Sequence, residues 1–145
     1  MSALVYLDTS ALAKRYLREP RSDAVDDFLS RLESVSISRL TMLELRCLLG
    51  RRRRNREINS TVERRVLSAL DDDIAQGFFE VHPLEDRHAI AARDLLGRLP
   101  RHPLRTLDSL HLAIANAIGS ELLATSDHVL ARAAEALGLR VEQFG

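Results

Sequence analysis

Short strand-like runs alternate with longer stretches of helical periodicity along almost the whole chain, and this alternation restricts the fold more than any other feature. The runs are Ala3–Leu7, Val35–Ser38, Phe78–His82, Glu121–Thr125 and Arg140–Phe144. The first is nearly continuous in apolar residues, as a strand covered on both faces is. Between the runs the pattern predicts helices: one capped by Thr9 or Ser10 and ending before Pro20, then Ser22–Leu32, a stretch from Thr41 into an arginine run, Ser60–Gln76, Glu85–Arg98, Thr106–Ile118 and Asp127–Leu137. Gly77, Gly119 and Gly138 follow three of these as helix stops. Strands alternating with helices predict an α/β protein, a mainly parallel five-stranded sheet flanked by helices. With 145 residues and no repeat or linker, residues 1–145 read as one domain.

In such folds the ligand crevice lies at the carboxyl ends of the strands, where the strand order reverses. Asp8 directly follows the first strand, and Asp127 follows the fourth by one residue. Two further acids lie on faces that should be apolar. In TMLELRCLLG, Glu44 is roughly 40° around the helix from Leu48 and 60° from Cys47. In TLDSLHLAIANAIG, Asp108 is roughly 40° from Leu112 and 20° from Ala115. An isolated buried carboxylate costs several kcal/mol, so it is paired, protonated or bound to metal. Each acid alone could be bonded to a cap or an arginine. Together, two at strand ends and two near helix N-termini can face one crevice. Oxygen ligands without a Cys/His cluster favour Mg²⁺ or Mn²⁺ over Zn²⁺. Such an ion activates water and neutralises charge on a phosphoryl group. Thr9, Ser10 and Thr125 can orient the carboxylates.

Composition removes several classes. The single cysteine, Cys47, allows no internal disulfide and fits a reducing compartment. No apolar run approaches the ~20 residues of a membrane span, and the N-terminus lacks a signal-peptide pattern. A cytoplasmic protein without a membrane is the expectation.

The formal net charge is zero, yet the segment from Arg46 to Arg65 holds eight arginines against two glutamates. Its core, Arg51, Arg52, Arg53 and Arg54, can attract phosphate. It reads equally as a solvated helix face or a patch for an acidic protein.

LVYLDTSALAKRY, the glutamate of TMLEL, RTLDSLHLA and LLATSDHVLARAAEALG match, in order and spacing, the pattern of PIN-domain ribonucleases, and resemble in particular the VapC-type toxins of bacterial toxin–antitoxin pairs. The resemblance covers nearly the whole chain. It implies a PIN-like α/β/α sandwich, a Mg²⁺- or Mn²⁺-dependent endoribonuclease acting on RNA, a small VapB-type antitoxin that blocks the site, and commonly a homodimer. By motif position, Asp8, Glu44, Asp108 and Asp127 take the places of the acidic cluster. Ser10 and Thr125 fall where the family often has a supporting hydroxyl. The arginine run lies where such proteins vary, so substrate choice does not transfer.

Arg105, three residues before Asp108, could hold a substrate phosphate or an antitoxin carboxylate, or pair with the acids. His111 reads as a packing or hydrogen-bonding residue, because no second His or Cys has ligand spacing around it. Cys47 reads as core, Asp71–Asp73 as a solvated run, and Leu12, Leu17, Phe28 and Leu32 as core or dimer packing. His82, His88, His102 and His128 suggest no site. A phosphatase of the haloacid dehalogenase type also starts with a strand running into aspartate. It needs a second aspartate where this chain has Ser10. The other readings are a nuclease of the same fold acting in RNA maturation without an antitoxin, and a metal-free interaction module.

Overall fold

Val5 and Leu7 point to one side of their strand and Tyr6 to the other, and all three are fully buried. A strand covered on both faces must lie inside a sandwich. The computed structural model describes residues 4–145, and Ala3, the predicted start of this strand, lies outside them. The strands are β1 (Val5–Leu7), β2 (Val35–Ser38), β3 (Phe79–His82), β4 (Leu122–Thr125) and β5 (Arg140–Gln143). They form one five-stranded sheet in the order β3-β2-β1-β4-β5, and every neighbouring pair is parallel.

Helices α1 (Thr9–Tyr16), α2 (Ser22–Ser30), α3 (Arg39–Arg54) and α4 (Ser60–Ala75) cover one face, packing Leu12, Leu29, Leu45, Leu49, Val66 and Leu70 onto Val5, Leu7, Ile37 and Phe79. Helices α5 (Asp86–Arg98), α6 (Thr106–Ala117) and α7 (His128–Ala136) cover the other, packing Leu95, Leu112, Ile114 and Leu130 onto Tyr6 and Leu123. The fold is an α/β/α sandwich. Among the described residues no helix is long and apolar enough to cross a membrane.

The turns into the last two strands follow from glycine. At Gly119 (φ +75) and Gly138 (φ +94) the backbone is left-handed, which suits glycine at a helix end. Ser120 N–H then reaches Ala115 C=O at 3.0 Å and Leu139 N–H reaches Ala134 C=O at 3.0 Å, closing the helix ends and releasing the chain into β4 and β5.

Several boundaries shift from the predicted ones. Asp8, not Thr9 or Ser10, caps α1, because its carboxylate accepts the Ala11 N–H. Ser38 ends β2 and caps α3, so that helix starts at Arg39 rather than Thr41. Asp127 is the cap of α7 rather than its first residue. Two solvent assignments also change. Cys47 is exposed, not core. Asp73 is not solvated: it accepts hydrogen bonds from Arg15 Nε and the Tyr16 hydroxyl.

Candidate active site

The strand order reverses between β1 and β4, which are hydrogen-bonded neighbours. Asp8 leaves the carboxyl end of β1 and Asp127 follows that of β4. Glu44 projects from the second turn of α3 and Asp108 from the first turn of α6. All four line one cavity of about 400 Å³, together with Thr9, Ser10, Leu43, Cys47, Arg51, Leu107 and His111. An adjoining hollow of about 350 Å³ shares Glu44, Leu107, Asp108 and Asp127 and adds Arg105 and Thr106. A larger hollow, about 510 Å³, lies at the turn between α3 and α4, but Glu57 is its only acid.

Asp8 is the most constrained acid, at 4% exposed. Its Oδ2 accepts from the Thr125 hydroxyl at 2.6 Å, and its Oδ1 accepts from Ser10 Oγ at 2.8 Å and Ala11 N–H at 3.0 Å. Each hydroxyl is aimed by a backbone donor. Ser126 N–H donates to Ser10 Oγ and Asp127 N–H to Thr125 Oγ1, both at 2.9 Å. With its oxygen accepting from behind, each hydroxyl turns its single proton toward Asp8. Burial pushes the Asp8 carboxyl above its ordinary range. His111 and the hydrogen bonds from Thr125, Ala11 and Ser10 oppose this without cancelling it.

Glu44 is held differently. Its Oε1 accepts from the Thr9 hydroxyl at 2.9 Å and from His111 Nε2. His111 Nδ1 lies 2.7 Å from the Tyr6 hydroxyl, which is 2.8 Å from Ser38 Oγ. With a proton on Nε2, His111 donates to Glu44, and the Tyr6 hydroxyl bridges its Nδ1 to Ser38 Oγ. Burial acts to raise the Glu44 carboxyl, but the bonds and charge of His111 and the Thr9 bond outweigh it, so the net shift is downward. The hydrogen-bonding role read for His111 is what the structure shows. The sequence reading did not connect it to Glu44. The signal was available, since His111 is one helical turn beyond Asp108.

Asp108 Oδ2 accepts from Arg105 N–H at 3.2 Å and Asp127 Oδ1 from Val129 and Leu130 N–H at 2.8 and 3.1 Å. The second oxygen of each makes no hydrogen bond among the described residues. Burial raises the Asp108 carboxyl, and the nearby Asp127 charge adds to it. The Arg105 N–H bond, His111 and the Arg105 charge oppose, and the net shift is upward. Arg105 itself forms no ion pair with these acids among the described residues.

The helical wheel placed Glu44 on a buried face, and it is partly buried there. Leu43 is 61% exposed and Leu107 45% exposed, and with Cys47 they border the cavity. Of the four consecutive arginines, only Arg51 lines the acid cavity. Arg52 pairs with Glu19 and Glu57, and Arg53, with Arg46, pairs with the buried Glu63. Arg54 lies against Gly50 in a separate hollow.

Among the described residues no three His, Cys, Asp or Glu side chains close around a single point as a metal cage does. The donor set nonetheless suits a hard divalent cation. It offers carboxylate oxygen, it includes a buried carboxylate whose charge is penalised, and two acids leave an oxygen uncommitted. Mg²⁺ keeps several waters and is held by one or two carboxylates, so a wide acid pocket fits it without a closed cage.

Comparison with known proteins agrees with this architecture. The PIN domain family pattern matches residues 5–136. The chain is 36% identical over 142 residues to Ribonuclease VapC46 of Mycobacterium tuberculosis, covering 96% of each. It is 37% identical over 146 residues to Ribonuclease VapC35 of the same species, covering 95% of each. Among solved structures, FitAcB from Neisseria gonorrhoeae superimposes with a TM-score of 0.74 at 21% identity, over 95% of this chain and 96% of that one. DNA-bound VapBC from Salmonella typhimurium gives a TM-score of 0.69 at 20% identity, over 99% and 100% of the two chains.

Proposed function

Because the chain belongs to the PIN-domain family and is related in sequence and fold to the VapC ribonucleases, we propose that it is a metal-dependent endoribonuclease, the toxin of a VapBC-type pair. In this reading it hydrolyses RNA phosphodiester bonds, a VapB-type antitoxin covers the cavity, and two copies pair as a homodimer. One observation carries the chemistry: carboxylates from four separate elements line one cavity at the strand-order reversal.

Asp8 and Asp108, with Glu44 and Asp127, are the residues that would hold Mg²⁺ or Mn²⁺, directly or through water. When bound, the ion lowers the pKa of water and offsets charge on the phosphoryl group. The protein's own part is positioning. Ser10 and Thr125 fix both oxygens of Asp8, so the carboxylate meets its ligand without reorganisation. His111 and Thr9 fix Glu44 and hold it ionised. Asp127 and Asp108 are anchored through one oxygen each to backbone N–H groups at helix N-termini, which leaves the other oxygen of each for a ligand.

Total RNA incubated with the purified protein and Mg²⁺ should be cut at discrete positions found by mapping new ends. EDTA should stop cutting, and Asp8→Asn should not cut while unfolding at a temperature no lower than the wild type. Full activity of Asp8→Asn with Mg²⁺ would remove Asp8 from the mechanism. Inducing the chain alone should arrest growth. Normal growth with an active enzyme would instead favour a role in RNA maturation.

A further inference from the structure

Arg51 is the member of the arginine run that the fold leaves free beside the acids. Its neighbours are committed: Arg52 to Glu19 and Glu57, Arg53 and Arg46 to Glu63. Arg51 is exposed, lines the acid cavity, and has no acid within salt-bridge reach among the described residues. Glu44 shares its face of α3 but lies beyond the i,i+3 and i,i+4 spacings at which helix side chains pair. The two are seven residues apart, roughly 20° around the helix and about 10 Å along it. Glu44 is instead satisfied by His111 and Thr9. Arg51 thus stands on the same wall, two helical turns beyond Glu44, with no acid partner among the described residues.

We infer that Arg51 is a substrate-positioning residue that holds an RNA backbone phosphate adjacent to the one being cleaved. This rests on the ribonuclease reading and extends it. A polyanion lying across four carboxylates meets repulsion everywhere except at a bound cation, so a second positive group on the cavity wall biases its path. A planar guanidinium grips a phosphate through two parallel N–H bonds. Such a contact carries no base information, so the residue contributes register and affinity but not sequence choice. The exposed Leu43 and Leu107 leave the cavity mouth open to an extended strand.

The test uses the full-length protein, a single-stranded RNA containing a mapped cut site, and Mg²⁺. Arg51→Gln should raise KM about tenfold, the scale of one charged hydrogen-bonded contact, with kcat within about twofold of wild type. The slope of log KM against log salt should fall by about 0.7, the value for one phosphate on a single strand. Cut positions should not move, and Arg51→Lys should recover part of the affinity. Arg31→Gln, at the C-cap that follows α2, exposed and paired with Asp27, serves as the control for net charge. An unchanged KM and salt slope in Arg51→Gln, beside an active wild type, would overturn the assignment and leave the ribonuclease reading intact. A change equal to that of Arg31→Gln would do the same. If instead Arg51→Gln cuts normally but loses inhibition by an acidic antitoxin segment, the residue belongs to the partner interface and the RNA assignment fails. A wild type that cuts no RNA takes down both readings.

Discussion

His111 Nδ1 lies 2.7 Å from the Tyr6 hydroxyl, and through the opposite nitrogen of the same ring that buried strand residue is tied to the Glu44 carboxylate. Tyr6 is fully buried on the central strand β1. The orientation of an acid on the cavity wall is thus set from the middle of the core, through a chain running Ser38, Tyr6, His111, Glu44, Thr9.

Tyr6→Phe keeps the ring packing and removes the hydroxyl. It leaves His111 Nδ1 and Ser38 without their shared partner, which costs about 1–3 kcal/mol for a buried polar group. The urea midpoint should fall by a corresponding amount with the m-value unchanged. An unaltered midpoint would show that the hydroxyl does not hold the chain together.

Proton competition should limit cleavage on the acid side. Asp8 and Asp108 both have carboxyls raised above their ordinary range, chiefly by burial. They lose their charge at a higher pH than a solvated aspartate, whose pKa is about 3.9. The acid limb of kcat/KM against pH should therefore lie above that value and move lower as Mg²⁺ is increased. An acid limb at or below the solvated value would contradict the burial argument. In the metal-free protein the same two shifts act on stability with the opposite sense. The folded state holds those protons more tightly, so their contribution falls as pH rises from the unfolded to the folded pKa.

His88 supplies a separate pH dependence. It is buried, and its Nε2 has no partner among the described residues. Burial, followed by repulsion from Arg87 and His82 and against attraction by Glu85, holds its pKa below the usual histidine value. The unfolded chain takes up a proton near pH 6.5 that the folded chain resists. The stability from this group is whole above that pH and is lost as pH falls through it toward the folded pKa. The urea midpoint should drop between about pH 7.5 and about pH 5.5 more in the wild type than in His88→Gln. Equal drops would exclude His88 as the source.

β1 and β4, the inner strands at the strand-order reversal, show in the sequence as apolar runs, and Asp8 and Asp127 stand where those runs stop. Helix starts were displaced where one side chain does two jobs. Asp8 reads as a site acid, which hides that the same carboxylate caps α1. Glu44 and Asp108 were found by their place on the helical wheel, but the wheel gives an angle around the axis and not what lies beyond it. Leu43 and Cys47 next to Glu44 border an open cavity rather than the core. Asp73 looked like one of three solvated acids, because its partners Arg15 and Tyr16 are far away in the chain. The division of labour within the arginine run was invisible for the same reason. Glu19 and Glu63, which engage Arg52 and Arg53, are 33 and 10 residues distant from them.

Equilibrium binding of Mn²⁺, followed by its electron paramagnetic resonance signal in the absence of RNA, tests most directly whether acids from four elements form one cation site. The wild type should bind, Asp8→Asn and Asp108→Asn should each weaken binding by about tenfold or more, and Mg²⁺ should compete. Wild-type protein that leaves the Mn²⁺ signal free, or variants that bind as tightly as the wild type, would contradict a shared acidic metal site.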